Sequence, residues 1–132
     1  LYLFGRFVAA VLGTAKFLAT YFISGIGAMF TVAILSIWVG SPDIFCVGAS
    51  GAVMGLLGVM GAIFLRGWRR DNMRFAARQL RWILVLVGLQ VMSDLLNPEV
   101  SLIGHVSGLI LGFLSGYALS SVRSPLSPPL ER

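Results

Sequence analysis

Charge, cysteine and histidine are all scarce in this sequence. Of its 132 residues 11% are charged and 58% hydrophobic, whereas a soluble domain runs at about a quarter charged, so a water-facing globule is excluded. The mean hydropathy of +0.92 points the same way, to a chain whose solvent is lipid. The lone cysteine, Cys46, has no partner for an internal disulfide or a cysteine-based metal site and reads as a small, semi-buried residue. Nothing resembles a cluster of metal ligands, and no metal or organic cofactor is expected. No signal-peptide pattern opens the sequence, and its first residue is Leu1, so it reads as beginning inside a longer protein.

What is present is a series of long apolar runs. A bilayer core takes about 20 residues of helix to cross. Leu1 to Ala10 falls short of that and reads as the end of a helix, closed by a turn at Gly13 and Thr14 with Lys16 at the water interface. Phe17 to Val39 carries no charge and is long enough for a full span. Gly40 to Phe45 is a loop, from its Gly, Ser-Pro and Asp. Val47 to Leu65 is the second full span, Arg66 to Arg81 a basic connection, Trp82 to Leu96 a shorter span that borrows from it, and Leu102 to Val122 the last. Asn97-Pro98-Glu99 is a turn. The expected fold is an all-α, polytopic membrane bundle of four full spans and a partial N-terminal helix. Residues 1–122 form its single domain, and 123–132, rich in Pro and Ser, form a disordered cytoplasmic tail.

The basic residues test this layout. Arg6, Lys16, Arg66 to Arg81, Arg123 and Arg132 fall at alternate ends of the spans, while the loops around Asp43 and Glu99 hold none. By the positive-inside rule the basic ends are cytoplasmic and those two loops face out. The formal net charge of +5 is then a topology signal, and the arginines are read as an anchor beside anionic lipid rather than a nucleic-acid surface.

Two polar residues stand out inside apolar surroundings: Ser50, between Ala49 and Gly51 in VGASGAVMGLLGVMG, and His105 in IGHVSGLILGFLSG. Each follows an outward loop, so each is expected within roughly 5 Å of its helix start, at the same depth. Gly104, Gly108, Gly112 and Gly116 recur every fourth residue on the last span, and Gly51, Gly55 and Gly58 form a similar face beside Ser50, with Met54 one turn below it. Small residues at that spacing let membrane helices approach closely, which would press the hydroxyl and the imidazole together. A neutral histidine within hydrogen-bond reach can take a serine's proton near pH 7. The unpaired N–H groups of a helix start, between Gly48 and Gly51, suit a developing oxyanion. Against this stands the ordinary use of intramembrane serines, which bond back to the preceding turn, and of an intramembrane histidine in packing or proton relay. Ser24, Ser36, Ser93, Ser107 and Ser115 are read as packing or interface residues, and Asp94 as a helix-end residue facing the outer loop.

Taken jointly, Gly48-Ala49-Ser50-Gly51 opening one span and Gly104-His105 with Gly108 and Gly112 two spans later resemble the rhomboid intramembrane serine proteases. The resemblance extends over Leu1 to Tyr117, with LFGRFVAAVLG similar to the family's junction between second and third helices. It implies that Ser50 is the nucleophile and His105 the general base of a two-residue dyad, with the Ser50 backbone N–H in the oxyanion site. It also implies a transmembrane protein substrate that enters laterally, unwinds and is cut near its helix, and a site near the outer face of a bacterial plasma membrane. The family's core has six helices, of which this sequence supplies the last four and a remnant of the second, without the first helix and the long loop after it, and it departs in its residues as well. The second-helix histidine and asparagine that help the oxyanion site have no counterpart, Ala9 stands where many members carry glutamate, and Met54 stands where a tyrosine or another bulky residue often packs under the histidine. Proteolysis is therefore expected of the full protein rather than of this stretch alone. The rivals are a non-catalytic rhomboid-like protein that binds transmembrane helices, which has no need of Ser50 and His105, and a transporter or channel subunit, which needs further buried charges.

Overall fold

The computed structural model describes residues 2–40, 48–72, 74–97 and 102–120, and among them all regular structure is helical. Five helices follow one another: α1 (Tyr2–Leu12), α2 (Thr14–Val39), α3 (Gly48–Asp71), α4 (Arg74–Leu96) and α5 (Leu102–Leu119). The last four are long and apolar enough to cross a membrane. In such a chain every backbone N–H and C=O must be satisfied within its own helix, which is why the apolar runs resolve into helices. The expected loop at 41–45, the turn at Pro98 and Glu99, and the tail lie outside the described residues.

Only one residue separates α1 from α2. Gly13 takes φ 87°, a left-handed conformation that glycine adopts without penalty, and its N–H still bonds the Ala9 carbonyl at 2.9 Å. Gly40, in the αL conformation at φ 66°, ends α2.

The basic segment departs from expectation. Arg66 to Arg81 is not a connection: α3 continues to Asp71 and α4 already begins at Arg74, with Asn72 at φ 48° close to the reversal. Arginine is a good helix former, and its long stem lets the charge reach water from a helical residue, so a charge run at the membrane edge does not have to be a loop. Arg66, at the start of the run, is instead turned inward: its guanidinium lies 4.2 Å from the centre of the Tyr117 ring, with the residue only 9% exposed. The basic ends of the spans come together, since Lys16 Nζ reaches the Leu119 carbonyl across the bundle.

The central element is α3, flanked by α2 and α5, while α2 and α4 turn rows of large apolar side chains outward as lipid-facing helices do. Val8 of α1 joins Leu56, Val59 and Ile63 of α3 in the main apolar cluster, and Phe7 stacks on Phe64 at 5.2 Å. A second cluster, Phe64, Ala76 and Ile83, holds the basic half of α4. Ser24, Ser36, Ser107 and Ser115 donate to carbonyls of their own preceding turns, as expected for packing serines.

Glycine sets the distance between α3 and α5. A Cβ at Gly108 would collide with the Gly51 backbone, one at Gly112 with the Gly55 backbone, and one at Gly116 would lie 2.8 Å from the Val59 Cα. The partner advances four residues each time the glycine does, so the two helices run parallel and in step. Gly55 is closed in from two sides, because a Cβ there would also strike the Ser24 side chain of α2. The apolar bulk of lipid offers no hydrophobic force to join helices, so this backbone-to-backbone contact supplies much of the dispersion that does.

Gly112→Val should therefore cost about 1–3 kcal/mol or more by overpacking, read as a lower midpoint of thermal unfolding in detergent. Gly88→Ala, where a Cβ meets nothing within 4 Å, should leave the midpoint unchanged or raise it.

Candidate active site

The end of the bundle opposite the arginines gathers the start of α3, the end of α4 and the start of α5. Gly48, Ala49 and Ser50 form the first turn of α3, whose backbone N–H groups have no partner earlier in the helix and carry the positive end of its dipole. Ser50 is half-buried there. Met54, one turn on, is 5% exposed.

The packing of α5 fixes the level of His105. A Cβ at Gly51 would lie 3.3 Å from the Gly104 carbonyl oxygen and 2.9 Å from the Ala28 Cβ, so no side chain separates these helices at this depth. Ser50 immediately precedes Gly51 and His105 immediately follows Gly104, which puts both in the first turns of two touching, parallel helices. Gly51, Gly55, Gly104, Gly108 and Gly112 thus meet across one seam.

His105 is 5% exposed, and its Nδ1 lies 2.6 Å from Oδ2 of Asp94. The other oxygen of that carboxylate, Oδ1, accepts a hydrogen bond of 2.8 Å from Nε2 of Gln90, one turn earlier on α4. Asp94 is itself 4% exposed. The expectation that it faces the outer loop is therefore corrected: it points into the bundle and holds the imidazole. Its place near the predicted end of a span and beside Asn97-Pro98 suggested a solvated residue, whereas Gln90 at i−4 on the same helix face was the signal of a buried polar pair. A carboxylate within a membrane helix is costly unless paired, and here each oxygen has a hydrogen-bond partner.

The chemistry open to this end of the molecule is nucleophilic. A hydroxyl, an imidazole with one nitrogen anchored and a set of helix-start N–H groups are the parts that acyl transfer uses. No group of three or more His, Cys, Asp or Glu that could hold a metal ion occurs among the described residues.

The family model described as "Rhomboid domain" matches residues 1–122. A Bacillus subtilis (strain 168) protein named "Putative rhomboid protease YdcA" is 31% identical over 118 residues, which is 89% of this chain and 55% of that protein. The chain thus spans about half the length of this relative. No solved structure gives a significant match.

Met54 is buried one turn after Ser50, so Met54→Ala should destabilise the bundle by about 2–5 kcal/mol through the cavity it leaves. Met54→Leu, close in volume, should cost less than about 1.5 kcal/mol, both read from thermal midpoints in detergent.

Proposed function

The chain belongs to the rhomboid family and is part of an integral, multi-pass membrane protein, and on that premise we propose that the full protein is an intramembrane serine endopeptidase with Ser50 as nucleophile and His105 as general base. The observation that carries the reading is the placing of a buried, carboxylate-anchored imidazole in the first turn of a helix whose backbone touches the first turn bearing Ser50.

In this mechanism Nε2 of His105 takes the proton of Ser50 Oγ as Oγ adds to the substrate carbonyl. The charge that develops on the carbonyl oxygen faces the N–H groups at the start of α3, the Ser50 N–H among them. Collapse of the tetrahedral intermediate breaks the C–N bond, and the proton held by His105 passes to the leaving amine. Water then attacks the acyl-serine with the same histidine as base, which restores the free hydroxyl. Serine and histidine complete this cycle with groups the chain itself supplies.

The substrate class follows from the position of the site. A peptide bond presented from a membrane helix must first unwind, because a helical backbone keeps its carbonyls bonded internally. The substrate is thus a transmembrane protein cut in or near its spanning segment. The basic end, with Lys16 and the Arg66 to Arg81 run, is the cytoplasmic side, so the site opens near the outer face, in a bacterial plasma membrane. The arginines serve as an anchor at anionic lipid rather than as a nucleic-acid surface. Residues 123–132 are proposed as a disordered cytoplasmic tail to the 1–122 core.

A fluorophosphonate probe applied to the full-length protein in detergent or liposomes tests this directly. The wild type should be labelled, and Ser50→Ala should abolish labelling and cleavage of a transmembrane substrate with the fold retained. His105→Ala should lower cleavage by about 10³-fold or more. A folded wild type that resists the probe would favour a helix-binding protein, and undiminished turnover in His105→Ala would rule out the proposed base.

A further inference from the structure

Asp94 is the buried ionisable residue of α4, and the dyad chemistry does not use it. The other buried residues of α4, Ala76 and Ile83, lie in its basic half against Phe64, so in the opposite half Asp94 is the point where α4 enters the interior. Its partner is the ring of His105, held through Nδ1.

The protonation pattern follows from the donor and acceptor inventory. With Asp94 ionised, its carboxylate only accepts hydrogen bonds, and at 2.6 Å Nδ1 is then the donor that carries the hydrogen. In a neutral imidazole that leaves Nε2 bare, with its lone pair on the side of the ring turned away from α4. This is the tautomer that a base for Ser50 requires. Without an acceptor at Nδ1, free imidazole rotates and exchanges tautomers, and only part of its population presents Nε2 as a base. Gln90 contributes one step further out, since its amide holds Oδ1 and so fixes which way Oδ2 faces.

We propose that Asp94, oriented by Gln90, is a positioning residue that holds His105 in the Nδ1–H tautomer and fixes its ring, so that the proposed pair of Ser50 and His105 is backed by a carboxylate. The proposal rests on the protease reading for its kinetic consequence, though not for the tautomer itself. Asp94 touches neither substrate nor the reacting atoms. When His105 takes the serine proton, both ring nitrogens carry hydrogen and the carboxylate faces the resulting imidazolium, while the proton on Nδ1 stays where it is. The carboxylate is thus useful twice, before the step in selecting the tautomer and during it in balancing the charge.

The test uses the full-length protein labelled with ¹⁵N-histidine, with the His105 signals assigned by their loss in His105→Gln. The wild type should show Nδ1 protonated and Nε2 bare at neutral pH, and Asp94→Asn should give a mixed or reversed pattern. In parallel, Asp94→Asn should lower kcat for a transmembrane substrate, and the rate of fluorophosphonate labelling, by about tenfold or more with KM within about twofold. Gln90→Leu should give a smaller loss in the same direction. A wild type whose His105 carries its hydrogen on Nε2 would overturn the proposal without needing any variant. So would an Asp94→Asn protein with lower thermal stability but unchanged tautomer and kcat, which would make Asp94 a structural tie only. A wild type with the expected tautomer that resists the probe would instead remove the protease reading and leave the positioning geometry standing.

Discussion

The rest of the molecule depends on the contact between the backbones of α3 and α5. Where Gly108 and Gly112 meet the backbone at Gly51 and Gly55 there is no room for a Cβ, and the two helices run parallel and in step along that contact. Close approach brings their first turns to one level, with Ser50 beside Gly51 and His105 beside Gly104. A side chain at Gly108 or Gly112 would strike the facing backbone of α3 and push the two helices apart. Seen this way, the seam is the means by which a structure held mainly by dispersion sets a polar geometry.

The second constraint is electrostatic. Lipid gives no solvation to Asp94, so its carboxylate has to be satisfied by protein, and it is satisfied by His105 and Gln90. The cost of burying the charge thereby becomes a restriction on the imidazole, whose ring orientation is fixed from the side opposite to the one the chemistry would use. Apolar contacts hold the basic half of α4 near Phe64, and a polar one holds its other half. α4 is therefore tied to the bundle at both ends by interactions of different kinds.

Much of the fold could be read from the residues because the bilayer leaves a chain few options. Apolar length gave the spans, basic residues gave the shared ends, and four-residue glycine spacing indicated which faces meet. The family resemblance, carried by Gly48 to Gly51 and by Gly104-His105, agrees with the match over residues 1–122. Two features escaped. Arg66 to Arg81 looked like a connection because six arginines are costly in lipid, yet arginine favours helix and its stem reaches outward, so both flanking helices run on through the segment. Asp94 looked solvated because it sits close to Asn97-Pro98, and Gln90 four residues earlier signals a polar pair without fixing which way the last turn of the helix faces. That is settled by the rotation of α4 against α5, a tertiary property.

In the protease reading Ser50 and His105 act on each other across the α3–α5 seam. The decisive measurement is a structure of the full-length protein with a phosphonate inhibitor bound covalently. Phosphorus should be bonded to Ser50 Oγ, with His105 Nε2 within hydrogen-bond reach of the adduct and Nδ1 still on Asp94. Attachment at another residue, or an imidazole whose Nε2 points away from Ser50, would contradict it.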